Sequence, residues 1–539
     1  MRRAIRACLL LLPACGGGDD NREDELPTSM SSVGMTMSAG EDTGMGGTDD
    51  TGPGMKLDAG AMGSDLGGGG IIGGCDDVQM LPTNQGCEFW AVDLPNVSVV
   101  PPLTIDTVPA DQQFAVVVTN PSAVATANVE IFGADPGVPL ASGAVPFDTM
   151  RVFELPSLSI TPGATTANGQ AYRIVSDLPI TAYQFQPLDN TSPVYSNDAT
   201  LLFPTHVLTG DYTAITGDAT LASNDGFNVS DVNTGAFVSV VATEANTTIT
   251  LFPTATLFPG AYEGVTLQAG QVLTAISSER GAPNYGNLSG TRVLADKPVA
   301  VFAGSVATSE PSMGVTCCAD HLEHQMLPLT AWGTEYAAAP AVAATGTGND
   351  ASLYRITGAF DGTALAYDPA PPTGAPSTID AGETIAFITD EPFVVATTDD
   401  AKPFAVSQFL LSNQYFGGLS RPGDPTMIVL PATAQFQDKY VFLMPQGYTR
   451  NILTVIRPIG APLFLDGAAI QDGLFAPLGS LGAADYEYAH VDAQPGSHVL
   501  EGDEPVGIIV SGNATDVSYG YAGGSGVGAI SQPPPPPAG

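Results

Sequence analysis

The stretch Phe203-Pro204-Thr205-His206-Val207-Leu208-Thr209-Gly210-Asp211-Tyr212 carries the pattern that decides the fold, an apolar-proline pair followed by an aromatic. The pair and its aromatic recur as Leu81-Pro82 with Phe89, Leu327-Pro328 with Tyr336 and Leu430-Pro431 with Tyr440. A second anchor follows each at a larger offset. It reads Asp177-Leu178-Pro179, Asp296-Lys297-Pro298, Ala401-Lys402-Pro403 and Asp503-Glu504-Pro505, and each runs into an apolar stretch. Four tandem copies of one unit of about 100–120 residues are therefore expected, each needing its neighbours to cover an apolar face.

Strand signals fill the units. Residues 114–118, 237–242, 354–356 and 453–456 occupy matching places and are rich in β-branched and aromatic residues. Each is followed by turn residues and a second strand, at 128–132, 247–252, 363–367 and 462–465. A further pair, 265–267 with 272–276, is split by Ala269-Gly270, and its counterpart 377–379 with 384–388 by Ala381-Gly382. Adding 299–302 and 404–409, each unit holds six or seven short strands, which is the size of a β-sandwich. No segment of eight or more residues has helical periodicity. The expected fold is all-β: four β-sandwich-like pseudo-repeats packed in an array, or alternatively closed into a four-fold, propeller-like ring. The anchor prolines suit strand entrances, where no ladder donor is needed.

The ends of the chain read differently. Arg2, Arg3 and Arg6 precede a short apolar run ending at Ala14, too short for the roughly 20 residues of a membrane-spanning helix. Residues 1–14 read as a secretory signal. Leu12-Pro13-Ala14-Cys15 resembles a bacterial lipobox in which Cys15 becomes the lipidated terminus; an ordinary signal peptide with a free Cys15 is the other reading. Diacylation gives lasting attachment, and Gly16 after the cysteine favours the outer membrane over the inner. Residues 15–74 lack Phe, Trp and Tyr and are dense in Gly, Asp and scattered Met, a tether with too little apolar surface to offset ordering entropy. The repeat domain is placed at 75–530. Residues 531–539 form a proline-rich tail, expected to follow a stiff polyproline II path away from the sheets.

Charge excludes one class of partner. Asp and Glu number 56 against 16 Lys and Arg, a formal net charge of −40, and such a field repels a phosphate backbone, so no nucleic-acid partner is expected. Of six cysteines, Cys8 leaves with the signal and Cys15 takes the lipid, so Cys75, Cys87, Cys317 and Cys318 remain for disulfides in an oxidising compartment. Three pairings are open. Cys75 with Cys87 is the shortest non-adjacent closure, and a ring between adjacent Cys317 and Cys318 is strained because their Cα atoms lie about 3.8 Å apart.

Several blocks resemble a known family. Gly86-Cys87-Glu88-Phe89-Trp90-Ala91-Val92-Asp93-Leu94, Ser196-Asn197-Asp198-Ala199-Thr200-Leu201-Leu202, Leu294-Ala295-Asp296-Lys297-Pro298-Val299-Ala300-Val301-Phe302, Cys317-Cys318-Ala319-Asp320-His321-Leu322-Glu323 and Trp332-Gly333-Thr334-Glu335-Tyr336 are similar to the IgGFc-binding protein N-terminal domain. The similarity is strongest to its bacterial, myxobacterial-type lipoprotein members. The resemblance implies an extracellular β-rich binding or surface-coat module, without carrying over antibody binding.

The densest chemical cluster is Cys317, Cys318, Asp320, His321, Glu323 and His324. Cys317, Cys318, His321 and His324 are candidate zinc ligands by type, but they lack the spaced cysteine pair that wraps a zinc ion. The competing reading is a disulfide beside hydrogen-bonded histidines. Asp320 has analogues in Asp76, Asp198 and Asp424, for which a repeated turn or cap role is expected. Asn224-Asp225-Gly226 with Asn228, Ser230 and Asp231 is a calcium candidate, although not in EF-hand order. No cofactor is otherwise expected. Nucleophile-elbow, metalloprotease-helix and phosphate-loop motifs are missing, and adjacent carboxylates such as Asp49-Asp50 and Asp399-Asp400 point to opposite faces of a strand. The function expected is a non-enzymatic, lipid-anchored cell-surface protein that binds an extracellular protein or glycan. The alternative is a secreted hydrolase or carbohydrate-active enzyme with an unrecognised site.

Overall fold

The computed structural model describes residues 74–97, 108–158, 160, 166–188, 196–219, 235–278, 286–312, 319–345, 348–417, 421–482 and 484–535. Cys15, the tether up to residue 73, Asn224 to Asp231, Cys317 and Cys318 lie outside them.

The pairing of the strands repeats along the chain. Between Asp211 and Gln325 the strands are Asp211–Thr213, Ala236–Ala242, Thr247–Phe252, Val265–Leu267, Gln271–Ile276, Arg292–Ala295, Val299–Thr308 and Asp320–Gln325. Numbered within the unit, the fourth, third, sixth and first strands form one sheet in that order, and the fifth, second, seventh and eighth form the other, with Thr166–Gln170 of the preceding unit paired on the fifth. The next unit repeats this, with Thr378–Ile379, Thr363–Asp368, Phe393–Thr397 and Glu335–Ala338 facing Thr384–Thr389, Ser352–Gly358, Phe404–Phe409 and Met427–Val429. In the outer two units the sixth and seventh strands fuse into Tyr172–Gln186 and Gly496–Ala514, which pass from one sheet to the other at the second proline anchor. Each unit is thus a two-sheet antiparallel sandwich.

Burial separates the two layers. The third strands alternate, with Val129 and Ile131 or Ile249 and Leu251 inward and their neighbours outward. The second, seventh and eighth strands are buried along their whole length: Ala236–Ala242, Val299–Thr308 and Asp320–Gln325 have no exposed residue. A strand covered on both faces favours a near-continuous apolar run, and residues 236–242 supply one broken only by Ser239, whose hydroxyl pairs with that of Thr274 (2.8 Å). At the centre the close approach is extreme, for a Cβ on Gly304 would lie 1.8 Å from the Leu322 carbonyl of the paired eighth strand.

Covering the inner sheets requires the units to meet. The eighth strands gather round one axis: Asp198–Leu202 packs on Asp320–Gln325 and on Val517–Ala522, while Met427–Val429 packs on the same two. The last unit also closes on the first, where the Tyr183 hydroxyl donates to the carbonyls of Gly523 (2.6 Å) and Val441 (3.2 Å) and Gln437 Nε2 donates to Asn84 Oδ1 (2.7 Å). The sandwich units therefore form a closed ring and not an open array, because the inner sheet of the last unit has the first unit beside it.

Both sequence anchors serve one joint. In three units the tyrosine after the first anchor bridges two strands. The hydroxyls of Tyr212, Tyr336 and Tyr440 donate to the carbonyls of Val299, Phe404 and Val506, each directly after the second anchor proline. The same hydroxyls accept the N–H of Thr209, Gly333 and Gln437, three residues upstream. The anchor Asp177 and Asp296 accept from the N–H groups of Asn128 and Thr248 at the start of the third strands.

Strand direction sorts the connections. In the second unit the turns 243–246, 268–270 and 296–298 lie at one end, and the longer connections 214–235, 253–264, 277–291 and 309–319 join strand ends at the other. Cys75 sits at the turn end, its Sγ beside the Ser176 carbonyl (3.5 Å), and is joined to Cys87 by a disulfide.

The tail differs from expectation. Its described part, residues 531–535, joins no sheet and lies against the ring: Ser531 N donates to the Thr330 carbonyl (2.9 Å), and the buried Pro534 receives a hydrogen bond from Arg292 (3.2 Å). Proline offers no ladder donor but keeps its carbonyl, and that of Pro534 finds a partner.

Candidate functional site

The polar centre of the ring is built by strands that the anchors aim inward. Asp198 opens the eighth strand of the first unit, and its carboxylate reaches all four units. Oδ1 accepts from Ala199 N (2.9 Å), Thr426 Oγ1 (2.5 Å) and Gly520 N (3.4 Å), and Oδ2 from Glu323 N and Met427 N (3.2 Å each). Asp320 Oδ1 accepts from Asn197 N (2.6 Å) and His321 N (2.9 Å), and its Oδ2 from Ser518 N (3.3 Å). Gln184 Nε2 donates to Glu323 Oε2 (3.1 Å), which lies 3.5 Å from His321 Nε2. Asp424 N donates to Ser518 Oγ (2.9 Å).

Burial sets the protonation of this cluster. Removal from water pushes the Asp198 carboxyl up to about 8, against the pull of its donors. It raises Asp320 and Glu323 well above the carboxylate range, with Asp424 and Asp198 adding to the rise. The same burial lowers His321 to about 3 and His324 to about 4, so both rings are neutral near pH 7. His321 stacks on Phe237, with ring centroids 5.9 Å apart, and His324 Nδ1 meets the Gln325 carbonyl (2.7 Å). The arrangement can hold strands in register. Substrate entry would need an opening, and the concavity beside the cluster, lined by Asp350, Arg421, Asp424, Asn513 and Ser518, encloses only ≈ 40 Å³, room for a few waters.

A second buried group lies between the second and third units. Arg355 Nη2 meets Asp218 Oδ1 and Glu310 Oε1, both at 3.0 Å, Nη1 donates to the Thr216 carbonyl (2.8 Å), and the guanidinium lies 4.3 Å from the centre of the Phe409 ring. Burial, opposed by the Arg355 charge, raises Glu310 to about 7. A larger, solvent-facing concavity of ≈ 460 Å³ lies on the outer sheet of the first unit, against Asn128, Glu130, Ser142 and Asp177.

The sequence candidates separate accordingly. Cys75 and Cys87 are bonded to each other. His321 and His324 are buried three positions apart on one strand, a spacing that turns them to opposite faces, and among the described residues no group of three or more His, Cys, Asp or Glu is placed to hold a metal ion. The turn or cap role expected for Asp198, Asp320 and Asp424 is incomplete. All three are buried at the centre, and Asp198 and Asp320 cross-link units, whereas Asp76 lies in the short helix Cys75–Val78. Sequence reasoning also missed Gln184, Gln325 and Thr426. Polar residues read as surface, and position was the signal: Gln325 and Thr426 stand two and four residues ahead of Leu327-Pro328 and Leu430-Pro431, and Gln184 one strand earlier in its unit.

Comparison with known proteins agrees with this frame. The model of a family described as IgGFc binding protein matches residues 198–512, from the first residue of the central Asp198 strand into the last inner sheet. The human IgGFc-binding protein is 26% identical over 335 residues, 61% of this chain and 6% of the human protein, so the chain spans a small fraction of that relative's length. The match covers more than half of the chain, and the chain belongs to the IgGFc-binding protein family.

Proposed function

We propose that the chain is a non-enzymatic, lipid-anchored cell-surface protein that binds an extracellular protein or glycan. The observation that carries this reading is the polarity of the ring. In the second unit the strand ends that bear the longer connections lie opposite the end with the short turns, Cys75 enters the first unit at its own turn end, and connecting segments are where binding residues concentrate. The use of the buried Asp198 carboxylate as a cross-link between strands supports the same reading, as does membership of a family named for binding.

The test is an array of immobilised extracellular proteins, immunoglobulin Fc among them, and glycans, probed with the full chain. Saturable binding with the ligand recovered intact is expected; cleavage of a glycan, peptide or ester by the purified chain would overturn the reading. A Cys15→Ser variant should bind alike but leave the detergent phase and lose lipid labelling. If it partitions as wild type does, the anchor assignment fails while the binding assignment stands.

A further inference from the structure

We infer that the ring carries a docking groove for an extended, proline-rich peptide, and that the chain's own residues 526–535 fill it. After the last strand, Val517–Ala522, the chain crosses three other parts of the ring. Gly526 N donates to the Gln435 carbonyl (2.8 Å) and Val527 N to the Pro82 carbonyl (3.0 Å). Ile530 N (2.8 Å) and Ser531 N (2.9 Å) both donate to the Thr330 carbonyl, and Ser531 Oγ donates to the Leu329 carbonyl (2.9 Å). Pro82, Thr330 and Gln435 all belong to the repeated anchor segments, so the groove is made by the element that the four units share.

The proline end has the chemistry of a recognition site. Arg292 is buried and held by Asp211, with Nη2 2.7 Å from Oδ2, and the same Nη2 donates to the Pro534 carbonyl at 3.2 Å. Pro534 is buried, Ser531 and Pro533 are half-buried and Gln532 and Pro535 are exposed, and the two residues hydrogen-bonded to the ring, Ser531 and Pro534, are three apart. Three residues per turn is the period of polyproline II, whose carbonyls are free for an external donor and whose preformed shape lowers the ordering entropy of docking. A Cβ on Gly528 would lie 2.5 Å from Pro82 Cβ, so the segment also fits closely before the prolines begin.

The test uses the full chain and a chain ending at Ser525, with a labelled peptide of the sequence 526–539 followed by fluorescence anisotropy. The shortened chain should bind the peptide saturably, and the full chain at least about tenfold more weakly, because its own tail competes at an effective concentration near the millimolar range. Arg292→Lys in the shortened chain should weaken binding by roughly tenfold, the loss of one charge-assisted hydrogen bond, while its circular dichroism stays that of the parent. Equal binding to both chains, binding to neither, or an unchanged affinity in Arg292→Lys would overturn the assignment. A concentration-dependent dimer of the full chain that disappears on shortening would place the tail on a second copy and overturn docking within one chain.

Discussion

Asp198 accepts hydrogen bonds from all four units, so its protonation is coupled to the closure of the ring. Its carboxyl is held at about 8, against an ordinary 3.8, by loss of water. The folded chain therefore keeps a proton that the unfolded chain releases, and this contribution to stability is full below about pH 4 and lost as the pH rises towards about 8. Glu310, raised to about 7, acts in the same direction. His321 and His324, lowered to about 3 and about 4, act oppositely: their contribution is full above pH 6.5 and lost as the pH falls below it. Above pH 6.5 the carboxyl slope remains. The unfolding free energy should thus fall between pH 6.5 and 8.5, by about 1–2 kcal/mol for Asp198 alone at roughly 1.36 kcal/mol per pH unit. Asp198→Asn should flatten that fall. The same slope in the parent and in Asp198→Asn over this range would mean that Asp198 is already ionised in the fold.

At the scale of the element, the strands that were legible in the sequence are those buried by apolar runs or alternating with solvent. The second strand of each unit falls where residues 114–118, 237–242, 354–356 and 453–456 placed it, extended by a few residues in two units. The eighth strands were missed for the opposite reason. Asp320–Gln325 reads as a polar loop, and only pairing with three other units makes its buried side chains tolerable. The anchors were visible as a repeat but not as a joint, since nothing local says that Tyr336 reaches Phe404, 68 residues away. Tyr336→Phe tests that joint. It removes the hydroxyl from the Phe404 carbonyl and leaves the Gly333 N–H without its acceptor, so urea denaturation should show a loss of about 1–2 kcal/mol. The first unit has Phe89 at this place and no such bridge, and no change on Tyr336→Phe would mean the joint is made by packing alone.

On the scale of the whole molecule, closure makes the units interdependent. Tyr521 of the last strand lies 5.1 Å from Tyr183 and 5.8 Å from Phe185, ring centre to ring centre, in the first unit, while Gly520 N reaches Asp198. A chain ending at Ala514 loses that strand and uncovers the inner sheets of both the first and last units, including Tyr183 and Asp198. In a row of independent beads, such a cut would remove structure from one unit and leave the other three to melt as before. In a closed ring it leaves buried polar groups of the centre without donors, and their cost falls on every unit they touch. The chain ending at Ala514 should therefore lose most of its strand signal in circular dichroism and become protease-sensitive throughout, whereas a chain ending at Ser525, which keeps the strand and gives up the tail, should fold and melt in one transition at a lower temperature. A cooperative melt of three units in the chain ending at Ala514 would show that each sandwich covers its own inner sheet and that the contacts round the axis are incidental to folding.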